Sequence, residues 1–194
     1  MSKKNQLTKT DYLSVEEYQR LVTMLHNDND ILGETYTRVA KGTALRISDV
    51  LKLTWSKLLS EKFVLNEQKT GKMRKITVSE KTHSAFRSLY ELNGSPDMSC
   101  FVFFNKRTNR PYTKQYINRL MKEWKDKYNI QVGNFSSHSF RKSFGREYWD
   151  KNNCSDKALT LLSEIYNHSD VSITRRYLGI RDEEVSEVYE MIEV

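Results

Sequence analysis

The stretch Asn167-His168-Ser169-Asp170-Val171-Ser172-Ile173-Thr174-Arg175-Arg176-Tyr177 decides how the rest of the chain is read. It sets a histidine at a turn between two apolar helical stretches and a tyrosine nine positions later. Upstream stands His138-Ser139-Phe140-Arg141, and nearer the N-terminus Thr43-Ala44-Leu45-Arg46-Ile47-Ser48-Asp49. Each residue alone has an ordinary reading. Arg46 suits any surface, His138 and Arg141 share a helix face by spacing, His168 suits a structural site, and Tyr177 suits a core with its hydroxyl bonded. Their joint occurrence in this order is more informative than any one of them.

Two arginines, two histidines and a late tyrosine match what metal-free attack on a phosphodiester requires. The phenol, with an ordinary pKa of about 10, must lose its proton as it attacks. Negative charge then gathers on two non-bridging oxygens, which a planar, permanently charged guanidinium meets best. A nearby lysine or histidine supplies the proton for the leaving oxygen. No cofactor and no metal is called for if these groups carry the electrostatic stabilisation. The kit points to DNA strand transfer rather than DNA binding alone.

Composition bounds the rest. The chain has 194 residues, enough for one substantial core, and 11% aromatic content argues against disorder. A net charge of +7 favours a polyanionic partner. Cys100 and Cys154 are too few and too isolated for a metal cluster. The basic start Met-Ser-Lys-Lys-Asn-Gln precedes no apolar run, which implies no signal peptide, no membrane and a cytoplasmic location.

Only 2 prolines and 7 glycines punctuate the chain, so long helices are expected. Residues 1–12 read as a flexible arm or linker remnant. Ser14-Val15-Glu16-Glu17 reads as a helix start running to about residue 27, and residues 30–41 as a second helix ended near Gly42. A third runs from Ile47 to Leu53. Phe63-Val64-Leu65 and Lys75-Ile76-Thr77-Val78 are β-prone, with Gln68-Lys69-Thr70-Gly71-Lys72 as the turn between them. Helices are expected again at 80–92, from Thr113, and at 138–151, 155–166, 170–177 and 182–193. Phe101-Val102-Phe103-Phe104 reads as a short buried strand or extended segment and Asn105 to Pro111 as a basic loop. The fold class is mainly α with a small antiparallel β-sheet inserted (α+β).

These segments resemble the tyrosine recombinase, or phage integrase, family. Its first box is an arginine with an acidic residue three places on, matched by Arg46 and Asp49. Its second, His-x-x-Arg, is matched by His138 and Arg141; its third is a Gly-His turn with a tyrosine nine positions after the histidine, matched by His168 and Tyr177. Asn167 replaces the usual glycine, and asparagine tolerates the left-handed backbone nearly as well. A lysine lies in a β-hairpin between the first two boxes; Lys69 aligns best, with Lys72 the alternative. The resemblance covers roughly residues 13–180 and implies the catalytic-domain fold. By it, Arg46 and Arg141 clamp the scissile phosphate and His168 bonds a non-bridging oxygen. His138 assists proton transfer, Lys69 protonates the leaving 5′ oxygen, and Tyr177 forms a 3′-phosphotyrosyl intermediate. Asp49 orients Arg46 or nearby backbone. The enzyme implied is a bacterial or phage-encoded site-specific recombinase or integrase, of a mobile genetic element or a chromosomal system. The competing readings are a type IB topoisomerase and a non-catalytic DNA-binding module. Family members usually carry an N-terminal DNA-binding domain, so the dozen residues before the first helix imply an excised or truncated catalytic domain that binds DNA weakly alone.

The partner is double-stranded DNA. Lys114, Gln115, Asn118 and Arg119, on the outer face of the helix that starts at Thr113, are of types that reach base edges or phosphates. Lys72, Lys106, Arg107 and Arg110 are expected on phosphates. Residues 181–194 form an acidic C-terminal helix with Val185, Val188 and Ile192 at helical spacing. Either it folds back on its own domain or, as the resemblance suggests, it docks on a neighbouring protomer of a tetramer on DNA. Accessory DNA-bending proteins complete the set of expected partners.

Overall fold

Ser14 opens the first helix as its sequence demands: its hydroxyl accepts from the Glu17 amide at 3.1 Å, and α1 (Val15–Asn27) follows. Leu21, Val22 and Leu25 recur on one face and are buried. The computed structural model of the chain describes residues 11–192, so the expected arm at 1–12 lies almost wholly outside the described residues. The chain divides into two compact units, one ending at Ser143 and the other beginning at Phe144.

In the first unit, α2 (Ile31–Thr43) is capped by Asp30 and ends near Gly42, as expected. It runs one residue further and ends on Ala44, held in the left-handed region at φ 49°. The short α3 (Ile47–Val50) and α4 (Trp55–Leu58) come next, the latter not foreseen in the sequence. The helix expected to reach Leu53 stops at Val50, though Val50, Leu51 and Leu53 are buried as expected.

The inserted β element is real. β1 (Lys62–Asn66) pairs antiparallel with β2 (Met73–Thr77), Phe63 facing Ile76 and Leu65 facing Arg74. Phe63, Leu65 and Glu67 fall on one side of the first strand, and Arg74, Ile76 and Val78 on the same side of the second. α5 (Glu80–Leu92) is capped by Ser79. The segment expected as a basic loop is a second hairpin, β3 (Phe104–Asn105) with β4 (Arg110–Pro111). Of the segment expected as a buried strand or extended stretch, Val102 and Phe103 are buried, whereas Phe101, in an isolated bridge with Thr54, is exposed.

α6 (Lys114–Lys127) starts from a Thr113 cap. Ile117, Met121 and Trp124 are buried, and the Trp124 indole N–H donates to Asp30 Oδ2 at 2.8 Å. This ties the middle of the unit to the cap of α2. The core gathers around Tyr36, with Phe103, Trp124 and Phe140 rings 5.7–6.4 Å away. Each such aromatic or leucine contributes about 1.5–3 kcal/mol of burial. α7 (Ser137–Lys151) carries the chain out of the first unit.

The second unit packs α8 (Asp156–Tyr166), α9 (Val171–Leu178) and α10 (Ile180–Glu190) with the rest of α7. Ala158, Leu159, Leu162, Tyr166, Leu178 and Ile180 are its buried apolar residues. Ser155 and Asp170 cap α8 and α9. Asn167 ends α8 in the left-handed region at φ 54° and ψ 39°, the conformation expected of an asparagine standing for glycine. Among the described residues no helix is long and apolar enough to cross a membrane.

Candidate active site

In the first unit, Arg46, Lys69 and His138 line one open cleft of about 500 Å³ together with Ile47, Ser48, Gln68 and Lys114. Of the two hairpin lysines, Lys69 belongs to this lining and Lys72 does not. Arg46 stands at the N-terminus of α3, where its extended backbone (φ −71°, ψ 148°) turns the chain out of α2. Its Nη1 donates to Glu67 Oε2 at 2.5 Å. Asp49 Oδ1 accepts from the Gln68 amide at 3.0 Å, so the acidic partner of the first box fastens the hairpin turn rather than the guanidinium.

Arg141 is 2% exposed and donates through Nη1 to the Ala44 carbonyl. Arg74 reaches the same carbonyl at 3.1 Å and the Thr43 carbonyl at 3.0 Å. The C-terminal end of a helix carries partial negative charge and unpaired carbonyls, which is why two guanidiniums settle there. The left-handed turn at Ala44 presents the shared oxygen.

The cleft is strongly cationic. The His138 pKa is pushed below its ordinary value, first by loss of hydration and then by Arg141, Arg46, Lys69 and Lys142. The ring still reaches solvent. Its neutral form is therefore favoured at pH 7, and it takes up its proton only below the ordinary value of about 6.5. In that window the unfolded chain takes up the proton first. The stability tied to the neutral ring is thus present above pH 6.5 and is lost progressively as pH falls toward the depressed folded value. An NMR titration is expected to give a His138 midpoint below 6.5, and Lys69→Ala is expected to raise it. A wild-type midpoint at or above 6.5 would show that the cations do not face the ring.

The second unit brings His168 and Tyr177 together, ring centroids 5.5 Å apart and edge to face. Tyr166, fully buried, touches both, 5.3 Å from His168 and 5.4 Å from Tyr177. His168 Nδ1 is 2.9 Å from the Thr174 hydroxyl, which is itself fully buried on α9. Thr174 lies one turn before Tyr177, so one helix both orients the histidine and carries the phenol. Gly145 makes room for this group: a Cβ there would overlap the Tyr166 hydroxyl and come within 2.8 Å of Leu178 Cδ2. Gly145→Ala is expected to cost roughly 1–3 kcal/mol in urea unfolding, the ordinary penalty of overpacking. An unchanged midpoint would mean Tyr166 has room to move.

Lys72, Lys106, Arg107 and Arg110 are exposed on the two hairpins, and Lys114, Gln115, Asn118 and Arg119 on α6. Of these only Lys114 reaches the cleft lining. Arg119 already has local company, 3.5 Å from Glu123 and 5.0 Å from the Tyr116 ring centre. Glu67, Arg74, Lys142, Tyr166 and Thr174 were not singled out from the sequence. Glu67 and Arg74 were findable, since they fall in phase with the inward apolar residues Phe63 and Leu65, and Ile76 and Val78, of the same hairpin. Nothing in local pattern marks Tyr166 or Thr174.

The chain is 29% identical over 150 residues to the probable integrase/recombinase YoeC of Bacillus subtilis (strain 168), covering 77% of this chain and 78% of that protein. Among solved structures, XerA recombinase superposes with a TM-score of 0.68 at 22% identity, over 94% of this chain and 66% of that one. The Tn1549 transposon integrase, solved in complex with transposon right-end DNA, gives 0.67 at 16% identity, over 95% and 68%. XerH recombinase on its difH substrate gives 0.67 at 13%, over 94% of this chain and 53% of that one. The chain thus spans about half to two thirds of these solved relatives, and at such identities the likeness shows the fold. The phage integrase family model matches residues 11–184, from before α1 into α10, and the chain belongs to that family.

Proposed function

We propose that this chain is the catalytic domain of a site-specific DNA recombinase, cleaving and rejoining strands through a 3′-phosphotyrosyl link without metal or ATP. The cleft that carries Arg46, Lys69 and His138 together is the observation that supports this most. The Tyr177 oxygen attacks phosphorus, and the phosphorus–5′ oxygen bond breaks. The phenol proton leaves with help from His138, whose neutral form is favoured at pH 7 and is able to accept it. Lys69 gives a proton to the departing 5′ oxygen. Arg46 and Arg141 take the charge on the non-bridging oxygens. If Nδ1 of His168 accepts from Thr174, the neutral ring carries its proton on Nε2, ready to donate to a phosphate oxygen. A 5′ hydroxyl from a partner strand reverses the same steps, which is why bond energy is conserved.

Double-stranded DNA is the partner this reading requires. Relatives solved with DNA and the exposed basic hairpins and outer face of α6 support it. Self-assembly into a tetramer on DNA is supported by α10. Its Glu183 and Glu184 pair with Arg146 and Arg175 of its own unit, whereas Val185, Val188, Tyr189, Met191 and Ile192 stay exposed. Large apolar side chains left exposed along one segment mark a candidate protein contact. Deleting residues 182–194 is expected to abolish higher-order complexes on target DNA while a single-protomer complex survives. An unchanged ladder in native gels would remove α10 from assembly. We place the protein on DNA in the cytoplasm, with accessory DNA-bending proteins where the site needs them. The test of the whole reading is covalent trapping on nicked duplexes in EDTA.

A further inference from the structure

We propose that Glu67 is a positioning residue that fixes the Arg46 guanidinium and binds it to the turn carrying Lys69; the proposal rests on the catalytic reading of those two residues. Glu67 is 1% exposed. Its Oε2 accepts from Arg46 Nη1 at 2.5 Å and from the Thr70 hydroxyl at 2.9 Å, and its Oε1 lies 3.7 Å from Arg74 Nη1. Its backbone closes the same turn: Glu67 N donates to the Lys72 carbonyl at 3.0 Å, and Gly71 N donates to the Glu67 carbonyl at 2.8 Å. Asp49 adds a second tie, from α3 to Gln68. Lys69 sits between these fastenings.

A buried carboxylate is retained only where cations and donors compensate it. Here the compensating groups include Arg46, and the carboxylate comes from the residue that opens the Lys69 turn. An unheld arginine on a cleft wall samples many rotamers, and that freedom would have to be lost in each transition state. Glu67 removes it beforehand. Arg74, anchored on the Thr43 and Ala44 carbonyls, keeps Glu67 from being drawn outward by its partner.

Two measurements on the full chain test this. Arginine side-chain NMR reads the positioning itself: Arg46 is expected to show slow guanidinium rotation in the wild type and fast averaging in Glu67→Gln. Glu67→Asp keeps the compensating charge but shortens the reach, and serves if the glutamine variant does not fold; it is expected to average as well. An Arg46 signal that averages in the wild type, or stays slow in the folded variant, overturns the proposal. Kinetics reads the consequence on nicked duplexes recovered by trapping. Glu67→Gln (or Glu67→Asp) is expected to slow single-turnover cleavage roughly 10²-fold, as loss of an orienting partner does, with DNA affinity within about twofold. In an Arg46→Ala background it should cost nothing further, whereas losses that add in full overturn the proposal. If Arg46→Ala cleaves like the wild type, or no duplex is trapped at all, the catalytic reading is what fails, and the NMR arm alone decides the positioning.

Discussion

Replacing Tyr177 with phenylalanine is expected to abolish the covalent protein–DNA band on nicked suicide duplexes in EDTA. The ring is half-buried, and its edge-to-face contacts with Tyr166 and His168 are made by carbon atoms that phenylalanine keeps. The fold and the retention of DNA should therefore hardly change, and the loss should be confined to chemistry. Removal of a nucleophile that acts with its neighbours as a unit costs on the order of 10⁴-fold or more. A denaturing gel of the two proteins beside each other is the measurement. A band of equal strength in the phenylalanine protein would mean another nucleophile, and the 3′-phosphotyrosyl scheme would be wrong. A band only after EDTA is replaced by magnesium would keep the tyrosine and discard the metal-free mechanism.

Arg141→Lys is expected to produce the second large loss, roughly 10²–10³-fold in cleavage. Lysine keeps the charge, so an effect of this size would come from geometry. Arg141 already spends one Nη1 hydrogen bond on the Ala44 carbonyl, and its remaining donors lie in the fixed plane of the guanidinium. That anchorage aims a planar fork that an ammonium lacks. Arg74 remains on the same carbonyl, so the helix end is not left bare and the variant should fold. Single-turnover rates with circular dichroism as a control decide the matter. A lysine protein within threefold of the wild type would show that Arg141 supplies charge alone.

Much of this was legible in the sequence because the informative residues obey local rules. Ser14, Ser79 and Thr113 cap the helices they precede, and Asn167 takes the left-handed turn that its position demands. The Arg46, His138 and Tyr177 boxes depend on spacing, and spacing is read directly. What escaped was set by tertiary context. The helix end expected near Gly42 falls one residue on, at Thr43, but nothing local announces the guanidinium that binds the Thr43 and Ala44 carbonyls there. Asp49 was expected to orient Arg46 or nearby backbone; it holds the Gln68 backbone amide, and the carboxylate on the guanidinium is Glu67, which stands 21 residues from its arginine. Thr174 and Tyr166 frame the His168 ring through contacts that have no periodic signature.

Ala44 has one more consequence. An alanine at φ 49° sits where glycine would be comfortable, at a cost of about 1 kcal/mol. Glycine itself would relax the turn but enlarge the unfolded ensemble, so the two effects nearly offset. A laboratory selection for heat resistance would therefore find little to gain here by the obvious replacement. Its route past this strain would lie in moving the carbonyl that two arginines hold, and thermal tolerance gained that way would be traded against turnover.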